Sequence, residues 1–429
     1  MDSKLLNLQN PWWEDLGWQK SDPHLSLVQG QPYYYHNPLI HHLEFNPNQI
    51  HILRGPRQVG KTTLIKEWVD RLIRKENAQA ANVLLISCEG MESFDELQKI
   101  LIDWLSAKKN ERIYIFLDEV TFVKEWQRVI LACFNVGLLQ QATVVITGSN
   151  ARDLKESSER LPGRRGAGKD LQLYPLMPFQ YRELDCFQGY TAQNLIETYL
   201  KVGGFPHAIR DFVTTGSISE ETFRTYRNWI IGDAVHYGLS EEILKHILFR
   251  IYETTGTRIT WSSLIENTTV KSHETALTYI EHLQDAHLCE ILYCYDLEKH
   301  GPAIHKARKI HFIDPLLYYL AAAWKKNLTP IWKWIELPET FTSVQASLLE
   351  SVFAVQSKVQ HADQNIIPYF WYSTKTKQEV DLVLLSGEQK LLYEIKWSGG
   401  HEFNALGEKV RVLTQNDLVQ GVKLKNNPS

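Results

Sequence analysis

Between residues 49 and 173 the apolar and polar positions follow two alternating rhythms. Short apolar runs at 51–53, 83–87, 113–117 and 143–147 are too continuous for half-exposed strands and too short for helices. They are expected as buried strands. The longer stretches between them place apolar residues three and four apart, the spacing of a helix that buries one face. The resulting βαβαβαβ order predicts a parallel sheet covered by helices on both faces, since parallel neighbours need a crossover. In such a sheet a ligand meets the carboxyl ends of the strands, so the loops after these runs are the places to look for chemistry.

The rhythm changes on either side. Upstream, Pro11, Trp12, Trp13, Trp18 and Tyr33 to Tyr35 form an aromatic stretch without a clear period, expected as a packed N-terminal extension. Beyond Pro175 the pattern is helical to about Tyr237, with breaks at Gly203, Gly204 and Pro206, and reads as a small helical lid. Residues 240–315 give a helix, a short helix at 261–267, a turn, a longer helix at 272–287 and two β-like runs at 289–293 and 309–313. This is the order of a winged helix. A further helix around 344–359 precedes two strand-like runs joined by Ser386, Gly387 and Glu388. The expected divisions are an extension at 1–45, an α/β core at 46–176, a lid at 177–239, a winged helix at 240–328 and a C-terminal α/β domain at 329–429.

The loop after the first strand reads Gly55-Pro56-Arg57-Gln58-Val59-Gly60-Lys61-Thr62, which matches GxxxxGK[ST] in full and stands between a strand and an amphipathic helix. Its glycines let backbone N–H groups turn toward phosphates, and the following helix presents its positive dipole end to them. Lys61 is expected to reach the β and γ phosphates and Thr62 to ligate Mg²⁺, with Thr63 in the same nucleotide-binding set. ATP and Mg²⁺ are the expected cofactors. The third strand ends in Asp118 and Glu119. Asp118 is placed to bind the Mg²⁺ shell and Glu119 to orient and polarise the attacking water, the role that separates a hydrolase from a nucleotide binder. The fourth strand ends Thr147-Gly148-Ser149-Asn150, polar groups suited to sensing the γ phosphate, with Asn150 assigned to the nucleotide. Arg160, Arg164 and Arg165 surround a polar Leu161-Pro162-Gly163 segment, and Arg164 is the candidate arginine finger for a neighbouring subunit's nucleotide.

Charge narrows little. Lys and Arg total 46 against 50 Asp and Glu, a formal charge of -4, so binding to nucleic acid must rely on local patches. The 5 cysteines are scattered and lack CxxC spacing, which argues against a disulfide framework and a structural zinc site. No leader pattern or apolar run of spanning length appears, so a soluble, cytoplasmic protein without membrane partners is expected.

With these motifs in hand, the chain resembles the AAA+-like P-loop ATPases of bacteria and archaea that carry an AAA-type core fused to a C-terminal domain of unknown function. The resemblance is carried by the phosphate loop, Leu117-Asp118-Glu119, Thr147-Gly148-Ser149, Leu161-Pro162-Gly163-Arg164, Gly203-Gly204-Phe205-Pro206 and Phe312-Ile313-Asp314-Pro315. It implies an oligomeric ATPase, a homo-oligomeric ring with a hexamer as the candidate size.

The last hundred residues look like the PD-(D/E)xK nuclease core. Asp381 lies in one strand-like run and Glu394 and Lys396 in the next, where period-2 geometry puts the latter two on one face and hairpin pairing brings Asp381 alongside. Glu350, on the preceding helix, matches the additional acid of such nucleases. Glu350, Asp381 and Glu394 are the candidate metal ligands, and Lys396 the group that positions or activates water, for a Mg²⁺-dependent endonuclease. In the winged-helix stretch, Lys271, His273 and Thr275 are candidate phosphate or base contacts, and the wing carries Lys299, Lys306, Arg308 and Lys309. The leading expectation is therefore an oligomeric Mg²⁺-dependent ATPase that couples hydrolysis to action on DNA, including cleavage by the C-terminal domain. The alternative is a nucleotide-controlled switch or scaffold for a protein partner, with an inactive nuclease fold.

Overall fold

The computed structural model describes residues 3–35, 37–91, 93–108, 110–148, 154, 166–361, 366–386 and 389–422. They fall into two compact units, Met1–Tyr174 and Pro175–Ser429.

In the first unit, α1 (Ser3–Gln9), α2 (Pro23–Gln29) and α3 (Leu39–His42) precede β1 (Gln49–Arg54), α4 (Lys61–Arg74), β2 (Val83–Ser87), α5 (Phe94–Ser106), β3 (Ile113–Asp118), α6 (Trp126–Asn135), β4 (Ala142–Gly148) and β5 (Asp170–Gln172). The strands form one five-stranded sheet in the order β2-β3-β4-β1-β5. Every pairing in it is parallel. The short apolar runs explain themselves once the two faces are separated. Ile52, Leu84, Ile86, Ile115, Leu117, Val144 and Ile146 point into one apolar layer with α5 and α6, while Leu53, Val83, Leu85, Phe116 and Val145 point into the other with α4. Both faces are buried, so neither shows a polar alternation. β5 is an addition to the four predicted strands: three residues, led by an exposed Asp170, carry no apolar run to read.

The N-terminal aromatic stretch covers the free edge of β2. Asn10 Nδ2 donates to Leu85 O at 2.9 Å while Leu85 N donates to Asn10 Oδ1 at 2.7 Å, mimicking a strand partner. Trp12 and Trp13 both donate their indole N–H to Val83 O, at 3.0 and 2.9 Å, and Ser87 N donates to Gln9 Oε1 at 3.1 Å. An unpaired edge strand invites pairing with another chain, and this cover removes the template. Trp12 and Trp18 pack edge to face in the same layer as α4.

In the second unit, α7 (Pro178–Tyr181), α8 (Ala192–Val202), α9 (Pro206–Thr215), α10 (Glu220–His236) and α11 (Glu241–Thr254) lead to α12 (Trp261–Ile265) and α13 (His273–Asp285). Then come β6 (Cys289–Tyr293), β7 (Tyr295–Asp296), β8 (Gly301–Pro302), β9 (Arg308–Phe312), α14 (Pro315–Lys326), α15 (Ile331–Ile335) and α16 (Pro338–Gln360). The chain continues with β10 (Tyr369–Tyr372), β11 (Glu379–Ser386), β12 (Gln389–Ile395), β13 (Phe403–Ala405), β14 (Glu408–Leu413) and α17 (Gln415–Gln420). β6 and β9 are antiparallel, with Leu292 opposite Lys309. The last strands form a five-stranded sheet, β10-β11-β12-β14-β13, in which only the β12–β14 pair is parallel. A bridge between Cys294 and Phe370 joins the β6–β9 hairpin to this sheet, and α17 returns to pack against α7 and α8.

Two of the motifs that carry the resemblance meet inside this unit. Asp314, 1% exposed, accepts from Gly204 N at 2.6 Å through Oδ2 and from Leu316 N at 2.8 Å through Oδ1, where it caps α14. Gly203 has a left-handed φ of 78°, and a Cβ there would lie 2.0 Å from Asp314 Oδ1. Burial pushes the Asp314 carboxyl up to about 7, against the opposing pull of its two backbone donors. A carboxyl raised in the folded state binds a proton that the unfolded chain has already lost, so its contribution falls as pH rises from about 4 to about 7. The stability of the wild type relative to Asp314→Asn is therefore expected to decline across that window, by at most about 1.4 kcal/mol per pH unit. Denaturant midpoints of the two proteins at several pH values check this, and a flat difference would refute it.

Candidate nucleotide site and carboxylate cluster

The phosphate loop occupies the turn from β1 into α4. Gly55 lies so close to the residues after β5 that a Cβ would sit 2.4 Å from Leu173 O, and Gln58 and Gly60 take left-handed φ values of 62° and 101°. Pro56 and Val59 are buried, with Val59 seated in the α4 layer, while Arg57 lies over the Phe122 ring. Gly60 is the N-cap of α4, and no side chain caps that turn, so its amide groups and dipole are left for a ligand. Thr62 and Thr63 follow on the first turn, both half-buried.

Lys61, its side chain 4% exposed, donates from Nζ to Gly55 O at 3.0 Å and Pro56 O at 3.1 Å, and lies 3.0 Å from Glu119 Oε1. Asp118 at the end of β3 is buried and accepts from Thr62 Oγ1 at 2.6 Å and from Thr147 Oγ1 at 2.5 Å. Thr147 is the hinge of the arrangement. It stands on β4 between β1 and β3, and its Oγ1 also accepts from Glu119 N at 3.0 Å. Glu119 holds a left-handed φ of 51°, uncommon for a residue with a side chain, which turns its carboxylate back toward Lys61. Gly148 is required beside it, since a Cβ would meet Thr121 Cγ2 at 2.8 Å. Burial, then the neighbouring Glu119 charge, raises the Asp118 carboxyl, while Thr147, Thr62 and Lys61 pull it down. Burial beside these acids also pushes the Cys88 thiol far up and keeps it protonated. Among the expected site residues, the structure thus brings together Gly55 to Thr62, Asp118 and Glu119. Asn150, Arg160, Arg164 and Arg165 lie outside the described residues.

The oxygen pair of Thr62 and Asp118 fits Mg²⁺, which is held by one or two protein oxygens together with substrate phosphates and water. Among the described residues, no group of three or more His, Cys, Asp or Glu is arranged to hold a metal ion.

That finding bears directly on the C-terminal sheet. Glu350 on α16 and Asp381 on β11 do approach each other, but around an ammonium group: Lys309 Nζ lies 2.6 Å from Glu350 Oε1, 2.7 Å from Glu379 Oε1 and 3.5 Å from Asp381 Oδ1. Asp381 Oδ2 accepts from Ile395 N at 2.9 Å. Glu394 pairs with Lys396 at 2.6 Å and lies within electrostatic reach of Asp381 and Lys309, so the expected acids are gathered around two ammonium groups. Lys309 was expected to be a phosphate contact of the wing. It is instead 1% exposed, and Arg308 is equally enclosed, donating to Ile304 O and Lys306 O above the Trp261 ring. Both lie on β9 with inward-facing partners, whereas Lys299, His300, His305 and Lys306 remain exposed.

Residues 47–184 match the family described as an AAA domain. The chain carries an AAA-type P-loop ATPase domain. Downstream of it, residues 193–327 match a domain of unknown function (DUF8612). An uncharacterised protein of Haemophilus influenzae is 25% identical over 268 residues, 59% of this chain and 64% of the relative, so the match spans less than two thirds of that protein. Among solved structures, a Walker-type ATPase of Pyrococcus abyssi is similar over 65% of this chain and 91% of its own, with a TM-score of 0.43 and 13% identity. The ORC2 protein of Aeropyrum pernix, solved in ADPNP and ADP complexes, is similar over 65% of this chain and 88% of its own, with a TM-score of 0.36 and 14% identity.

Within the AAA-type domain, sequence reasoning placed Thr147 among sensors of the γ phosphate; its observed partners make it the residue that positions Asp118 and Glu119. In the second unit Glu379 was missed, and Lys309 was assigned to the wing instead of to the carboxylates it meets. A lysine embedded in Lys309-Ile310-His311-Phe312-Ile313 was the available signal, because a charge in a buried strand needs a charged partner. No helix among the described residues is long and apolar enough to cross a membrane.

Proposed function

We propose that this chain hydrolyses ATP with Mg²⁺ and, as a homo-oligomer, couples turnover to contact with DNA. The observation that carries the hydrolytic reading is the joint placement of Lys61, Thr62, Asp118, Glu119 and Thr147 at the carboxyl ends of β1, β3 and β4. Amides of the turn and the α4 dipole bind the phosphates. Lys61 neutralises charge on the terminal phosphate, and Thr62 with Asp118 would hold Mg²⁺. Mg²⁺, when bound, supplies Lewis-acid polarisation of the phosphoryl oxygens. Glu119, released from Lys61 as the phosphate takes over that ammonium, turns to the water and accepts its proton. Arg164 of an adjacent subunit serves as the finger in this reading.

The DNA reading rests on the helix, short helix, helix and hairpin order of α11, α12, α13, β6 and β9, read as a winged helix. Lys271 at the start of α13 and Lys299 and Lys306 in the hairpin are exposed cations, and His273 is exposed beside Lys271. Phosphate contacts of this kind weaken steeply with salt. ATP turnover is expected to rise on adding duplex, single-stranded or branched DNA at low salt and to lose that rise at high salt. Turnover indifferent to all three, with no DNA bound at low salt, overturns the DNA reading and leaves the second one. In that second reading the chain is a nucleotide-controlled switch for a protein partner with a non-cleaving nuclease-like module, which the Lys309 cluster favours.

A further inference from the structure

We infer that Lys309 is a tethered internal cation standing where the C-terminal sheet would hold a divalent metal ion, and that it makes this module a structural coupling element instead of a metal-dependent nuclease site. An ammonium group has three donors and no acceptor. Those of Lys309 face Glu350 Oε1, Glu379 Oε1 and Asp381 Oδ1, carboxylates supplied by α16 and β11. Several of the neighbouring oxygens are also engaged. Asp381 Oδ2 takes the Ile395 N–H, Glu379 is shared with Arg258 at 3.3 Å, and Glu394 is held by Lys396. A divalent ion entering here has to evict a buried ammonium held by three carboxylates.

The surrounding contacts show what the cation does. His311, two residues along β9, has Nδ1 2.8 Å from Ser351 Oγ, the residue after Glu350 on α16. Lys358, farther along α16, pairs with Glu290 on β6. Three rungs (Lys309 to Glu350, His311 to Ser351, Glu290 to Lys358) therefore fix the β6–β9 hairpin against α16 in one register. The Phe370 ring, 5.4 Å from Lys309 Nζ, and the bridge from Cys294 to Phe370 close the seam on the β10 side. Hairpin and C-terminal sheet are thereby one body, and a load on the hairpin passes directly to the sheet.

The test uses the full chain without nucleotide and Mn²⁺ alone as the probe, with bound ion measured by electron paramagnetic resonance. Wild type and Asp381→Asn are expected to bind Mn²⁺ alike, whereas Lys309→Met gains about one ion per chain that Lys309→Met with Asp381→Asn loses. Wild-type binding that Asp381→Asn removes overturns the inference, as does a folded Lys309→Met that gains no ion. Should Lys309→Met fail to fold, the wild-type and Asp381→Asn comparison decides alone: equal binding supports the tethered cation and unequal binding refutes it. Because no ATP is present, the result does not depend on the hydrolytic reading of the first unit.

Discussion

Glu119→Gln is expected to lower ATP turnover by about 10²- to 10⁴-fold, the range for loss of a positioned general base, while ATP remains bound. The geometry predicts the split between the two effects. Glutamine keeps the size of the side chain, and the backbone N–H held by Thr147 Oγ1 and the left-handed turn at this residue are untouched. What disappears is the carboxylate proposed to take the proton of the attacking water. The same change frees Lys61 from an ion pair of 3.0 Å, so the phosphate no longer competes for that ammonium and ATP affinity is expected to hold or rise. Steady-state turnover beside calorimetric ATP binding measures both. Undiminished turnover would remove Glu119 from the chemistry.

Gly204→Ala is expected to destabilise the second unit by about 4 kcal/mol or more, placing it among the most damaging single substitutions. A Cβ at this position would stand 1.9 Å from Leu176 O and 2.7 Å from Leu176 N, backbone atoms with no side chain to swing aside. Relief requires moving Gly204 away from both of its partners: its N–H donates to Asp314 Oδ2 and its carbonyl accepts from Leu176 N at 2.9 Å. Asp314 would then be a buried carboxylate short of a donor, which adds its own desolvation cost. Gly216→Ala makes a useful comparison. Unlike Gly204 it has a positive φ, of 75°, but a Cβ there meets nothing within 4 Å, so only the backbone strain remains. Equal denaturation midpoints for the two variants would show that the Gly204 contact is not structural.

Legibility from sequence followed the physics of each element. The core strands could be read because both faces of their sheet are buried, which leaves unbroken apolar runs, and the phosphate loop because its spacing is set by the ligand it wraps. β5 was hidden by being short and partly exposed, and β13 and β14 by their mixture of polar and apolar residues. The aromatic extension showed no period because it is not a regular element packing one face. It supplies single side chains, Gln9, Asn10, Trp12 and Trp13, to the backbone of one strand. In the C-terminal sheet the order of Glu350, Asp381, Glu394 and Lys396 is the pattern of a metal site, but pattern along one segment is blind to a residue arriving from elsewhere. Lys309 enters from a hairpin 41 positions before Glu350 and alters what those acids do.

Steady-state ATP turnover of the full chain in Mg²⁺ and in EDTA, for wild type and Asp118→Asn, tests the central claim most directly. The account predicts turnover in the wild type that requires Mg²⁺ and is lost in Asp118→Asn, with the fold of both proteins intact by circular dichroism. Turnover that survives EDTA, or that Asp118→Asn leaves unchanged, would contradict it.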